Sequence, residues 1–267
     1  TRPPPPPTPH QHRRQRHKCI RDRPYGVLVG RGLAFALVVA VLFAKKYDRS
    51  PMMVLDLAIF LVVFSFPISY LLNALFYMPD TFRELIEHPS RFGEIQIGLS
   101  SFGGALGAIV GGLVWRRFRK QSLLRVGDAA AFAGPFGWAV GRLGCFVSHD
   151  HPGRVSDFFL AVDDFHVGSP PYYPRHDLGL YDMLVMIGIS LVFLVLVRKP
   201  RPVGFYVALL PILYMPFRFI LDFLRAPVGE GGDVRFLGLT PGQYAAVGLF
   251  GVGVVLMRRV RTTRDWA

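Results

Sequence analysis

Seven apolar stretches alternate with short polar segments along the chain. Their approximate limits are Tyr25–Ala44, Met52–Tyr77, Ile95–Trp115, Gly127–Val147, Leu178–Val197, Val203–Leu224 and Leu239–Met257. Each approaches the ~20 residues that cross a ~30 Å hydrocarbon core as an α-helix. Helix is the state that lipid permits, because an isolated strand leaves backbone N–H and C=O groups unpaired there. The stretches also exceed the ~10 residues of a barrel strand. The pattern predicts an all-α fold: a polytopic membrane protein with seven transmembrane helices and an external loop region.

Charge in the connecting segments sets the orientation. One set of loops carries Lys45, Lys46, Arg49, Arg116, Arg117, Arg119, Lys120, Arg125, Arg198, Lys199 and Arg201, and the C-terminal end on the same side adds Arg258, Arg259, Arg261 and Arg264. The loops of the other side hold only Arg83, Arg91, Arg154, Arg175, Arg225 and Arg235, although the basic N-terminal tail falls on that side too, against the bias of the later loops. The positive-inside rule makes the richer side cytoplasmic. The longest loop in the body, Ser148–Asp177, then lies outside, and the working face is expected there, since long loops carry function.

Composition agrees. The 267 residues are 51% hydrophobic, a share that argues against an ordinary soluble domain. The net charge of +13 sits between apolar runs, as in membrane-protein loops, and no nucleic-acid-binding motif accompanies it. Of the two cysteines, Cys19 lies in a polar tail and Cys145 in an apolar run, so a disulfide between them is not expected. Residues 1–24, "TRPPPPPTPHQHRRQRHKCIRDRP", combine a proline run with a basic run. They are expected to be a disordered tail, and without an apolar core before Tyr25 they do not make a complete secretory signal. The chain thus divides into that tail, a seven-helix domain over 25–260 and a cytoplasmic tail over 261–267.

Ionisable residues inside a span are costly and mark function. The spans hold Arg31, Asp56, Arg142, Arg218, Asp222 and, near a boundary, Asp182. Arg218 and Asp222 share a helix face at i, i+4 spacing, which suits either a self-contained ion pair or a charged site on a polar cavity. Gly137, Gly141 and Gly144 surround Arg142 at helical spacing; such small residues let helices approach closely and would tuck the arginine between them. Arg31 is close enough to the span end to snorkel outward, and Asp56 is placed to cap a helix start. Two internal guanidiniums suit an anionic ligand, phosphate above all. The run His149-Asp150-His151 could suggest a metal, but three contiguous ligands rarely converge on one ion. Ser148 with its neighbours is no catalytic triad, whose members meet in space rather than in series.

Several segments together resemble the bacterial prolipoprotein diacylglyceryl transferases, in matching order from Tyr25 to Met257. They are Tyr25-Gly26, "NALFY", "HPSRFGEIQIGLSSFGGALG", "GRLGCFVSHDHPGRVSD", "RHDLGLYD", "FRFILDFLRAP" and "GLTPGQ". The resemblance implies seven helices, an external N-terminus and a cytoplasmic C-terminus in the bacterial inner membrane, with the active face toward the periplasm. It implies transfer of a diacylglyceryl group from phosphatidylglycerol to the lipobox cysteine of a preprolipoprotein, without a cofactor or metal. On the matching positions it implies catalytic roles for Arg142, Arg218, Asp150 and Asp222. It implies substrate contacts for Tyr25, Gly103, Gly104, Cys145, Gly153, Arg154 and His176. Asp150 and Asp222 stand where the family has glutamate. Phe102 stands where it has the histidine before Gly-Gly, and Cys145, Ser148 and His149 replace Asn, Asn and Gly of the signature. Tyr70 falls near a frequent arginine. With that histidine absent, His149, His151, His176 and Asp150 are the candidate bases. Two other readings stay open: an inactive member that binds lipid or a partner protein, and an anion transporter.

Overall fold

The computed structural model describes residues 9–78, 82–83, 86–88, 99–163, 173–227, 230 and 232–263, with backbone alone for 9–24, 77 and 263. Seven long helices run through these residues: α1 (Pro9–Lys46), α2 (Pro51–Tyr77), α3 (Ser101–Arg119), α4 (Leu123–Ser148), α5 (Leu178–Leu196), α6 (Phe205–Leu221) and α7 (Pro241–Thr263). A 3-10 turn, Asp222–Leu224, extends α6. Between α4 and α5 lies a two-stranded antiparallel ribbon, β1 (Pro152–Val155) against β2 (Arg175–Asp177), with Pro152 opposite Asp177 and Val155 opposite Arg175 across a bulge.

Of residues 1–24, 1–8 lie outside the described residues, and from Pro9 the backbone is helical. No proline falls between Pro9 and Pro24, and extending a helix that already exists avoids the cost of nucleating one. One expectation changes: among the described residues six helices, not seven, are long and apolar enough to cross a membrane on that ground alone, namely Tyr25–Lys46, Pro51–Phe76, Leu123–Ser148, Leu178–Leu196, Phe205–Leu224 and Pro241–Thr262. α3 is a full helix of 19 residues but does not join them. Glycine makes up much of it and Arg116, Arg117 and Arg119 fill its last turn. The start expected for this stretch, at Ile95, is outside the described residues.

Those glycines pack α3 onto α2. A Cβ on Gly103, Gly107 or Gly111 would come within 2.7, 2.6 and 2.5 Å of the α2 backbone at Ser69, Phe64 and Phe60. Spaced four apart, they form one smooth stripe that lets two backbones touch, which drives association where lipid supplies no hydrophobic effect. α1 and α4 close in the same way, with Gly32 and Gly137 each occupying the space that a side chain on the other would need. Gly144 faces Leu28 and Tyr25, whereas a Cβ on Gly141 would meet open space. The core between α1, α4, α5 and α6 is aromatic: Phe132 contacts Phe43, Phe193 and Tyr206 at ring separations of 4.7–5.9 Å.

The end of the bundle with the basic loops is tied by buried polar groups. Asp128 is 1% exposed and accepts from the backbone N–H groups of Gly204, Tyr206 and Val207, so it holds the first turn of α6, with Arg49 3.8 Å away. Asp56 does not cap α2 as expected. It pairs with Arg119 at 2.7 Å and accepts from the Trp115 indole, tying α2 to α3 a second time. A long-range guanidinium partner outbids a local cap because it brings a full opposite charge.

Gly107→Val is expected to destabilise the protein by about 1–3 kcal/mol through overpacking. Gly188→Ala, where a Cβ meets nothing within 4 Å, is the matched control and is expected to be neutral. Denaturant unfolding in detergent, followed by tryptophan fluorescence, measures both.

Candidate active site

α4 carries Arg142 about 9 Å, at 1.5 Å per residue, before its end. The helix stops at Ser148 because His149 turns into the left-handed region at φ 51° and its N–H caps the Cys145 and Phe146 carbonyls. Arg142 is 7% exposed and therefore does not snorkel. Its Nε lies 2.5 Å from Asp182 Oδ2 on α5, and its guanidinium covers the Trp138 ring at 5.2 Å. Trp138, one turn earlier on α4, also reaches Asp182 through Nε1 at 3.4 Å. A buried carboxylate one helix away is what makes an intramembrane arginine tolerable.

The second arginine has its own carboxylate. Arg218 on α6 pairs with Asp222, which is fully buried and also holds Arg225 at 3.2 Å and the Thr240 hydroxyl at 2.6 Å. Arg225 in turn reaches Asp233 at 3.2 Å. The i, i+4 pair expected from sequence is therefore real but not self-contained. Gly242 leaves room for it, since a Cβ there would lie 3.1 Å from Asp222 Oδ2 and 3.4 Å from Arg218. Tyr214, one turn before Arg218, donates its hydroxyl to Asp182 at 3.2 Å. That bond sets α6, one turn before Arg218, against the Arg142–Asp182 pair, and Asp182 and Tyr214 act on Arg218 through charge rather than through a bond.

His151 adjoins Arg142. Its Nε2 lies 3.2 Å from an Arg142 terminal nitrogen. Burial, then the guanidiniums of Arg142, Arg225 and Arg218, hold its imidazole well below the ordinary histidine value, so the ring is neutral at physiological pH. Asp182 Oδ1 and His151 Nδ1 are buried without an aligned hydrogen bond among the described residues. Such groups carry a desolvation cost that a ligand can relieve.

An apolar groove of about 1050 Å3 opens beside this network, between α2, α3, α4, α6 and α7. Trp138, Tyr214, Arg218 and Gly242 line one end and Arg116, Lys120 and Arg259 the other, with leucines, alanines and glycines between. It runs nearly the length of the bundle.

The remaining residues singled out in the sequence scatter around this centre. The Sγ of Cys145 is 3.5 Å from Arg142 and buried. Tyr25 lies against Gly144. Asp150 is exposed, with Ser148 Oγ at 2.8 Å; that hydroxyl is also 2.8 Å from the Gly144 carbonyl and donates to one at a time. Gly153 is a backbone wedge, because a Cβ would fall 2.6 Å from His176 Cβ and 2.8 Å from the Leu224 carbonyl. Arg154 is exposed on β1 and is not drawn into the network. His176 faces away from the arginines, with Nδ1 2.7 Å from the Tyr181 hydroxyl and its ring beside Phe158. Gly103 and Gly104 serve the α2–α3 contact, and Phe102 meets Phe76 edge-on at 6.2 Å while lining the groove. The His149-Asp150-His151 triplet diverges: His149 bonds Asp177 at 3.1 Å, and His151 turns to Arg142. Asp182, Tyr214, Trp138 and Thr240 were not assigned roles from sequence. Only Asp182 gave a signal there, as a carboxylate at a span boundary.

Apolar helices that close around paired arginines beside a groove define a multi-pass membrane protein with a charged intramembrane site. The family model for prolipoprotein diacylglyceryl transferase matches residues 19–259, and the chain belongs to that family. Curated relatives named phosphatidylglycerol–prolipoprotein diacylglyceryl transferase agree. The protein from Mannheimia succiniciproducens is 38% identical over 65% of this chain and 61% of its own length. That from Pasteurella multocida is 33% identical over 68% and 66%. That from Vibrio atlanticus is 34% identical over 89% and 86%. The first two matches span less than two thirds of those relatives.

Asp182→Asn strips Arg142 of its counter-charge and is expected to cost about 3–5 kcal/mol. Pairing it with Arg142→Met is expected to cost less than Asp182→Asn alone, because no buried charge is then left over. Unfolding in detergent gives both values.

Proposed function

We propose that this protein transfers a diacylglyceryl group from phosphatidylglycerol to the lipobox cysteine of a preprolipoprotein. The observation that carries this reading is the nearness of two buried arginine–carboxylate pairs, Arg142–Asp182 and Arg218–Asp222, with Tyr214 of α6 bonded to Asp182 and both Tyr214 and Arg218 lining one end of an apolar groove. The groove suits acyl chains, and the guanidiniums suit a phosphodiester where they end.

In the reaction the cysteine thiolate attacks the glyceryl carbon that bears the phosphate ester. A C–S thioether bond forms, the C–O bond breaks with its electron pair, and glycerol phosphate departs. The thiol proton is lost to a base or to the medium, and the departing phosphate gains negative charge. Arg142 and Arg218 stabilise that charge in a site with little water, where fixed cations act most strongly. Asp182 and Asp222 aim the two guanidiniums. Asp150, which is exposed, is the carboxylate placed to take the proton of an incoming thiol, a nucleophile only once deprotonated. Tyr25, Cys145 and Gly153 shape the wall, and His176 and Arg154 lie farther out, where the signal peptide arrives.

All seven helices cross the bilayer in this reading, α3 included, shielded by its glycine contact with α2. The basic end faces the cytoplasm, and residues 149–177 face the periplasm across the bacterial inner membrane.

Purified protein given phosphatidylglycerol vesicles and a lipobox peptide is expected to raise the peptide mass by one diacylglyceryl group. Arg142→Lys and Arg218→Lys are each expected to lower kcat by about 10²–10³-fold, as when a transition-state donor is lost. Intact, lipid-binding protein that yields no mass gain would favour the inactive-member reading. For topology, Phe159, 82% exposed, is replaced by Cys in a chain that carries Cys19→Ser. An impermeant maleimide is expected to label it in intact spheroplasts, and labelling only after lysis would reverse the orientation.

A further inference from the structure

We propose that His151 is a neutral hydrogen-bond donor, through Nδ1–H, to the phosphodiester of the bound lipid, and so completes a phosphate site with Arg142 and Arg218. The proposal rests on the transferase reading for the identity of the ligand, but it starts from the tautomer of this ring.

An arginine side chain has donors and no acceptor. The nitrogen of His151 that lies 3.2 Å from Arg142 therefore has to accept, so Nε2 carries the lone pair. In a neutral ring the proton then sits on Nδ1. The surroundings agree: the backbone carbonyl of Asp150 favours a ring proton, whereas the three guanidiniums disfavour a charged ring. A doubly protonated ring would set an N–H against an N–H of Arg142.

Two consequences follow. The lone pair of His151 is already engaged by Arg142, so the ring has no free basic nitrogen for a thiol proton, and among the candidate bases it drops out. Its Nδ1–H, by contrast, is buried beside the Asp150 carbonyl without a well-aligned hydrogen bond among the described residues, so an anionic oxygen can compete for it. The charged side chains that act most strongly on the ring are Arg142, Arg225 and Arg218. A donor set among three cations calls for an anionic oxygen. The arginines bring charge; His151 adds direction without adding to the repulsion among them. Its backbone is held as firmly as its ring, because its carbonyl accepts from Leu178 N–H at 3.2 Å and the next residue, Pro152, accepts from Ala226.

The test compares wild type with His151→Asn, whose amide restores an N–H near the place of Nδ1, and His151→Phe, which fills the space without a donor. Each is reconstituted in nanodiscs. Transfer to a lipobox peptide is measured as kcat and KM, and binding of phosphatidylglycerol and of diacylglycerol, which lacks the phosphate, is titrated by tryptophan fluorescence. The Phe variant is expected to lose about 10–100-fold in kcat/KM, the worth of one hydrogen bond to a charged acceptor. It is expected to bind phosphatidylglycerol more weakly and diacylglycerol as before, while the Asn variant keeps most of both activity and binding. A Phe variant equal to wild type overturns the proposal. So does equal weakening for both lipids, which marks a structural role, or equal loss in Asn and Phe with recovery at high pH, which marks a base. If wild type itself transfers nothing, the transferase reading falls alone, and the contrast between the two lipids still decides the role of His151.

Discussion

A guanidinium inside a hydrocarbon layer has to be paired, and the architecture around the site follows from meeting that requirement twice. Arg142 is met by Asp182 from α5, and Arg218 by Asp222 at the end of its own helix. Breaking a buried pair costs more than forming one gains, so every neighbour that fixes a carboxylate in place also protects an arginine. Trp138 and Tyr214 do this for Asp182, and Thr240 and Arg225 for Asp222. The pairs do not exhaust their hydrogen-bonding capacity, however. Asp182 Oδ1 and His151 Nδ1 stay buried without aligned partners among the described residues.

Such a centre needs rigid walls, and in a membrane close backbone contact supplies rigidity that the hydrophobic effect does not. The stripe of Gly103, Gly107 and Gly111 fuses α2 to α3, and the Gly32–Gly137 contact fuses α1 to α4 one turn below Arg142. The groove is apolar along its middle, where leucine, alanine and glycine dominate the lining, and charged at both ends.

The connecting segments close the centre from above. The carbonyl of His151 holds the start of α5 and that of Pro152 holds Ala226, just after Arg225. Gly153 fits between His176 and Leu224 only because it has no side chain. The long loop and the end of α6 are thereby locked together. This brings His151 within reach of arginines from two helices. Asp177, whose carboxyl burial pushes up despite bonds from Leu180 and His149, starts α5 and anchors the same ribbon.

Much of this was legible in the chain itself. The number of helices, their approximate limits and the presence of Arg142, Arg218 and Asp222 as charges inside apolar stretches follow from hydropathy and residue type, which are local properties. So does the pairing at i, i+4, since helix geometry fixes it. What could not be read locally was partnership across helices. Asp182 finds Arg142, Asp56 finds Arg119 and Tyr214 finds Asp182 at separations of 32 to 63 residues, distances at which nothing but the packed bundle decides who meets whom. The same holds for the HDH triplet, which reads as one cluster in sequence. It splits in space because a left-handed turn at His149 sends one histidine to Asp177 and the other to Arg142. The sequence by itself determined which residues enter the membrane; only the tertiary structure decided which buried charges answer each other, because that choice is made by the close approach of helices far apart in the chain.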